Sequence, residues 1–374
     1  MEAEKLLEII DADFYTGVPD SQLNALCNCL IEKYGTDLKH HVIAANEGNS
    51  TAIAAGYHLA TNKIPVVYMQ NSGEGNAVNP IASLLNEKVY SIPTIFIIGW
   101  RGEPGIKDEP QHVFQGEITL ELLKLLDIEV FVLSQYSTVA EVECAMVNFS
   151  KLLDEGKSVA FVVRKNALNF NKHIEYKNEY QLSREDIINT VVDISEEDPI
   201  VSTTGKASRE LYEIRETRGQ SHKYDFLTVG SMGHSSSIAL GIAANKPNQR
   251  IWCIDGDGAL LMHMGAMALV GTSALKNMIH IVINNGAHET VGGMPTAADK
   301  VDLVMIAKGC GYENAIKVED KKNLIDALRV AKNSNKLCFI EIKCSVGSRE
   351  DLGRPKTTAI ENKRNFMEHL GNIE

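Results

Sequence analysis

Two clusters of residues in this chain have the types and spacing for chemistry. In the second half the run IWCIDGDG (251–258) is followed, after the 25 residues 259–283, by Asn284 and Asn285. Both runs close a short apolar stretch that reads as a strand. Glycines follow the first strand, where the backbone must turn and approach a ligand closely. A helix is expected to begin near Ala259, and its free N–H groups suit a phosphate. Asp257, the Asn285 amide and a nearby backbone carbonyl are hard oxygen donors. With two phosphate oxygens they suit magnesium, which takes few protein carboxylates and keeps ligand phosphates. In the first half, Glu47 stands in AANEGNSTA (44–52), between the strand-like residues His41–Ala44 and a helix rich in Ala and Gly. An acid there is either a first-turn residue facing the helix dipole or a proton-handling group whose pKa burial raises.

The elements that must position these residues alternate along the chain. Apolar runs at Ile64–Met69, Thr94–Ile98, Glu129–Leu133, Val159–Val163, Pro199–Val201, Arg250–Ile254, Ile279–Ile283 and Cys338–Ile342 read as buried parallel strands. Amphipathic windows between them read as helices: Ser21–Tyr34, Gly48–Ala60, Val139–Leu153, Arg184–Ile194 and Lys321–Ala331. Such alternation predicts α/β architecture, with parallel sheets covered by helices on both faces. The polar stretch Lys165–Gln181 is the expected linker. It divides the chain into domains at 1–180 and 181–374. Ligands of such sheets bind at the carboxyl ends of the strands, where Asp257 and Asn285 are placed.

Composition narrows the function classes. The 37 Lys and Arg against 49 Asp and Glu give a net charge of −12, with no basic run. Nucleic acid and anionic membrane surfaces are therefore not expected partners. No apolar run approaches the ~20 residues that a bilayer span needs. The acidic N-terminal segment MEAEKLLEIIDADF does not read as a secretory signal, so a cytoplasmic location is expected. The 7 cysteines include no CxxC pair, which argues against zinc and disulfides. Cys253 and Cys338 are expected in the core.

At this point the residues carry a resemblance. GDG followed by NN is similar to the cofactor signature of the thiamine-diphosphate enzymes. The resemblance implies that Asp257, Asn285 and the Ala287 carbonyl hold magnesium. It implies cofactor contacts at Thr204, Gly256, Gly258 and Ala259; since Ala259 has no hydroxyl, its contact would come from backbone N–H. GSMGH (230–234) resembles the segment that bends the cofactor. Met232 would be the apolar wedge, and the Gly230 carbonyl would accept from the 4′-amino group. Glu47 would meet a ring nitrogen of the aminopyrimidine and relay a proton. The fold implied is two doubly wound domains of the thiamine-diphosphate-binding type, one for the pyrimidine and one for the diphosphate, with no middle domain. A homo-oligomer, at least a dimer, is implied too, with Glu47 of one subunit serving the cofactor held by another.

GVPDS, NSGEGNAVNP, RGEPGIKDEPQH, TTGKASREL and NNGAHETVGG extend the resemblance to the 2-oxo acid decarboxylases of this family, above all those acting on 3-phosphonopyruvate. A decarboxylase of that substrate, yielding phosphonoacetaldehyde and carbon dioxide, is the expected activity. A phosphonate-biosynthesis role goes with it. Asp20, in GVPDS, is a candidate acid or a plain N-cap. His112 is the best-placed imidazole; His40 and His41 precede Glu47 and do not match the family's histidine pair. Cations for the phosphonate are expected among Lys206 and Arg101, each directly after a strand, then Lys107 and Arg354. Rivals are a sulfopyruvate decarboxylase, a carboligating enzyme of the acetolactate-synthase kind, and a non-enzymatic nucleotide-binding regulator that would have no need of an acid at Glu47.

Overall fold

The computed structural model describes residues 1–372. The chain forms two compact units, Met1–Glu175 and Tyr176–Glu374. In the first, six strands make one sheet: β1 (Tyr15–Gly17), β2 (His41–Ile43), β3 (Val66–Gln70), β4 (Ile95–Gly99), β5 (Glu129–Leu133) and β6 (Val159–Val163). Every pairing is parallel, in the order β2-β1-β3-β4-β6-β5. Its helices are α1 (Ala3–Ile10), α2 (Asn24–Tyr34), α3 (Glu47–Thr61), α4 (Glu74–Pro80), α5 (Pro110–Leu125) and α6 (Val139–Asp154).

The second unit has β7 (Ile200–Ser202), β8 (Asp225–Leu227), β9 (Ile251–Gly256), β10 (Met278–Asn284), a short hairpin of β11 (Ala287–His288) with β12 (Met294–Pro295), then β13 (Asn314–Val318) and β14 (Cys338–Lys343). The helices are α7 (Arg184–Ser195), α8 (Lys206–Thr217), α9 (Ser235–Asn245), α10 (Asp257–Met262), α11 (Ala266–Thr272), α12 (Leu303–Cys310), α13 (Lys321–Asn333) and α14 (Ala359–His369). Its parallel sheet runs β13-β14-β10-β9-β7-β8. Counted from each unit's first strand, both sheets have the order 2-1-3-4-6-5. Each therefore reverses direction between its first and third strands, and the crevice of a doubly wound sheet opens at that reversal. In the first unit that point lies between β1 and β3; in the second, between β7 and β9.

The cores follow from the strand period of two. Along β9, Trp252 and Ile254 face one layer with Ile188, Val191, Leu211 and Ile340. Ile251 and Cys253 face the other, with Ala239, Met267, Leu303 and Phe366. Cys253 and Cys338 are both fully buried, and all seven cysteines are free thiols. No described helix is long and apolar enough to cross a membrane.

The expected strands all form, β5 and β6 with the expected ends and the others with ends shifted by at most two residues. The structure adds β1 and the β11–β12 hairpin, and also β8 and β13, which read DFL and NAIKV. One is too short and the other too polar for an apolar-run criterion. The helix expected near Ala259 instead begins at Asp257, because the extended backbone at Gly256 already caps it.

One buried group costs stability. Glu74 is 1% exposed, and neither carboxylate oxygen has a hydrogen-bond partner. Burial raises its pKa from 4.5 to about 9. The folded chain then binds a proton that the unfolded chain releases above about pH 4.5, so this group's contribution falls as pH rises through that window. At pH 7 the penalty is about 3 kcal/mol, from 2.5 pH units at 1.36 kcal/mol each. Glu74→Leu is expected to raise the thermal midpoint and to flatten its decline between pH 5 and 8. A midpoint that keeps the wild-type pH slope would contradict this.

Candidate active site

In the second unit the turn after β9 and the turn after β10 meet at the sheet's carboxyl edge. Asp257 is 4% exposed, and its Oδ2 accepts from the Thr296 hydroxyl at 2.6 Å. Burial raises its pKa to about 6, against the Thr296 and backbone hydrogen bonds that lower it. No cation pairs with it among the described residues. A buried carboxylate in that state is matched to an external positive ion.

Asn284 and Asn285 build two consecutive turns of the same kind. The Asn284 Oδ1 accepts from the Gly286 N–H, and the Asn285 Oδ1 from the Ala287 N–H, each at 3.0 Å. Gly286 has φ +71°, and a Cβ on it would lie 2.2 Å from Asp299 Oδ2, so only glycine fits. The Asn285 carbonyl accepts from the Asn178 amide at 3.0 Å.

The glycines of GDG have different surroundings. A Cβ at Gly256 would meet nothing within 4 Å, so space is open beside it. A Cβ at Gly258 would lie 3.0 Å from the His288 ring and 3.5 Å from the Met232 methyl. Burial lowers the His288 pKa to about 4, so the ring is neutral. Met232 thus reaches the GDG turn from the segment 230–234, where Gly233 packs against the Ala259 carbonyl. The Thr204 hydroxyl donates to the Val229 carbonyl at 2.9 Å, tying the end of β7 to Gly230. Thr204, Gly230, Met232, Gly256, Asp257, Gly258, Ala259, Asn285 and Ala287 therefore share one edge. One carboxylate, one amide oxygen, one carbonyl and open space beside Gly256 fit magnesium and a diphosphate. No group of three or more acidic, His or Cys ligands forms among the described residues.

Lys206 opens α8 at the same edge, and its Nζ lies 2.8 Å from Glu289 Oε1. Arg184 reaches Glu289 at 2.9 Å and Glu210 at 2.7 Å. Burial pushes the Glu289 carboxyl up, but Arg184 and Lys206 outweigh it and hold it below the usual range. Arg354 is exposed, in the segment between β14 and α14.

In the first unit Glu47 is the first residue of α3, after the N-cap Asn46. It is 5% exposed, and its Oε2 accepts from the Asn76 amide at 2.7 Å. Burial raises its pKa, and the Asn76 bond opposes the rise. A Cβ on Gly73 would lie 2.4 Å from Glu47 Cγ and 2.5 Å from its Oε1, so glycine is needed for the carboxyl to sit there. The same NSGEGN turn clamps Arg101: Asn71 accepts from its N–H and donates to its carbonyl. Arg101 forms a two-point ion pair with Asp108 at 2.8 and 2.5 Å, and its Nη1 donates to Ser21.

Asp20, after β1, is fully buried; its Oδ2 accepts from the Gln22 N–H, and its Oδ1 has no partner. Burial raises its pKa to about 7, opposed by Arg101. His112 is buried with Nδ1 unpartnered, and burial with Arg101 nearby lowers its pKa to about 4. Lys107 is exposed beside Asp108. Asp20, Arg101 and His112 are thus one electrostatic cluster, and Glu47 is linked to Arg101 through a single loop. Sequence reasoning missed Thr296, His288, Glu289, Gly73 and Asn76 as individual partners. Four of these lay within segments already singled out; Thr296 had no local signal.

Comparison with known proteins identifies the family. A family model described as the thiamine pyrophosphate enzyme N-terminal TPP binding domain matches residues 4–123, and the corresponding C-terminal TPP binding domain matches residues 203–342. A phosphonopyruvate decarboxylase of Streptomyces viridochromogenes is 33% identical over 371 residues, covering 94% of this chain and 89% of its own. One from Streptomyces hygroscopicus is 32% identical with the same coverage. A sulfopyruvate decarboxylase of Methanosarcina acetivorans is 27% identical, covering 98% and 97%. The chain belongs to the thiamine pyrophosphate enzymes, and among them to the family of the phosphonopyruvate decarboxylases.

Proposed function

We propose that this enzyme decarboxylates 3-phosphonopyruvate to phosphonoacetaldehyde and carbon dioxide, with thiamine diphosphate and magnesium bound. The observation that carries the substrate is the likeness to two phosphonopyruvate decarboxylases across nearly the whole chain. Asp257, the Asn285 Oδ1 and the Ala287 carbonyl would hold the magnesium, with the diphosphate in the open space beside Gly256. Met232 would press the cofactor into its bent form, against the Gly230 carbonyl. Thiamine diphosphate, when bound, supplies a nucleophilic carbon and an electron sink for decarboxylation. Glu47, whose pKa burial raises and whose Oε2 is taken by Asn76, would present Oε1 to the aminopyrimidine and relay a proton there. Asp20, whose pKa burial raises to about 7, would be the acid that donates to the product. His112, its pKa lowered to about 4 by burial and by Arg101, would stay neutral. We read the active enzyme as a homo-oligomer, at least a dimer, that completes each site between subunits.

For the phosphonate we place Arg101 first, since Asp108 occupies only part of its donor fork. Lys206 comes second because its ammonium is engaged by Glu289; Lys107 and Arg354 follow. A charge-assisted hydrogen bond is worth about 1.5–3 kcal/mol. Arg101→Ala is therefore expected to lower kcat/KM for phosphonopyruvate roughly ten- to hundredfold while pyruvate changes little. The test is carbon dioxide release from phosphonopyruvate, sulfopyruvate and pyruvate by wild type and variant. A wild-type preference for sulfopyruvate would favour the sulfonate reading suggested by the relative that is 27% identical.

A further inference from the structure

An amide is a metal ligand only through its oxygen, and its two ends are almost the same shape. Something must therefore choose which end of Asn285 faces the ion. The Asn285 Nδ2 donates to Glu289 Oε2 at 2.9 Å, while its Oδ1 accepts from the Ala287 N–H at 3.0 Å. Turning the amide over would set its NH2 against an N–H and its oxygen against a carboxylate. Both contacts would become repulsive.

Glu289 is itself held from two sides, by Lys206 at 2.8 Å and Arg184 at 2.9 Å. Arg184 is fixed in turn by a two-point pair with Glu210, at 2.7 Å on both contacts. The four charged groups sum to +2 − 2 = 0. Asn284 shows the same wiring as an inner comparison: its Nδ2 donates to Glu341 Oε1 at 2.8 Å, and Lys343 backs Glu341 at 3.2 Å. Asn284, however, is fully buried, whereas Asn285 retains 7% exposure at the strand-end edge.

We propose that Glu289 is a positioning residue that locks Asn285 in its metal-binding orientation, and that Lys206 and Arg184 serve to hold Glu289. The inference rests on the reading of Asn285 as a magnesium ligand. On this reading Lys206 serves Glu289 instead of the phosphonate, so its loss is expected to act alike on every 2-oxo acid, which leaves Arg101, Lys107 and Arg354 as the candidates for the phosphonate.

The test is calorimetric titration of the full-length, metal-stripped protein with magnesium in the presence of thiamine diphosphate. Glu289→Gln is expected to weaken magnesium by roughly ten- to hundredfold, because Gln offers Asn285 a donor as well as an acceptor and so no longer selects the orientation of its amide. Combined with Asn285→Ala, it should add nothing further. Unchanged magnesium affinity in Glu289→Gln, or losses that add in the double variant, would overturn the positioning role while leaving the ligand reading intact. An Asn285→Ala protein with wild-type affinity would instead overturn the ligand reading and the inference with it. If Glu289→Gln alone misfolds through the cation it leaves unbalanced, Glu289→Gln with Lys206→Met restores neutrality. The same loss of magnesium affinity is expected from that pair, and wild-type affinity in it would reject the proposal.

Discussion

Asp257→Ala is expected to lose magnesium-dependent thiamine diphosphate binding, by more than the roughly 10–100-fold typical of removing an outer-shell partner. The reason is that the only carboxylate in the proposed donor set disappears. The same substitution should not weaken the metal-free fold. Burial holds the Asp257 carboxyl at about 6 against a usual 3.8. This acid is thus ionised at neutral pH at a cost that is fully present above pH 6 and vanishes below about pH 4. The cost is on the order of 3 kcal/mol, from 2.2 units at 1.36 kcal/mol each. An isosteric Asp257→Asn, which keeps the Thr296 contact, should therefore raise the thermal midpoint of the metal-free protein while abolishing metal-dependent binding. Opposite movements in stability and affinity identify a group retained for a ligand rather than for the fold. Calorimetry with unchanged cofactor affinity would remove Asp257 from the site.

Glu47→Gln is expected to lower turnover by the ~10²–10⁴ that general acid–base groups contribute, with cofactor affinity and folding preserved. Gln keeps the size and can still accept from Asn76, but it cannot exchange a proton. Single-turnover carbon dioxide release, set beside a thiamine diphosphate binding curve, separates the two effects. Retention of most of the turnover would reduce Glu47 to a helix-start acid. Loss of binding together with turnover would assign it to cofactor affinity instead.

Much of the fold was legible in the sequence. Buried parallel strands are continuous apolar runs, and β4, β6, β10 and β14 appear where such runs stand, whereas β5, at the edge of its sheet, buries only Leu133. Asp257, Asn285 and Glu47 were legible as candidate site residues because each follows a strand end, where local turn chemistry and the carboxyl-edge rule apply. β8 and β13 were not legible, since three residues of DFL and the half-polar NAIKV carry no strong period.

The sequence by itself determined the two-unit α/β plan, the family motifs and the strand ends on which the reactive groups stand. Only the tertiary structure decided their partners. Thr296 reaches Asp257 across 39 residues, Lys206 reaches Glu289 across 83, and Arg184 reaches Glu289 across 105. Periodicity and turn propensity act over a few residues, whereas these pairings depend on strand order, which sets β9 between β7 and β10. Lys206 shows the consequence most clearly. As a cation directly after a strand it reads as a substrate ligand, but the sheet order brings a carboxylate to it, and the electrostatics of that pair tie its charge to the asparagine turn.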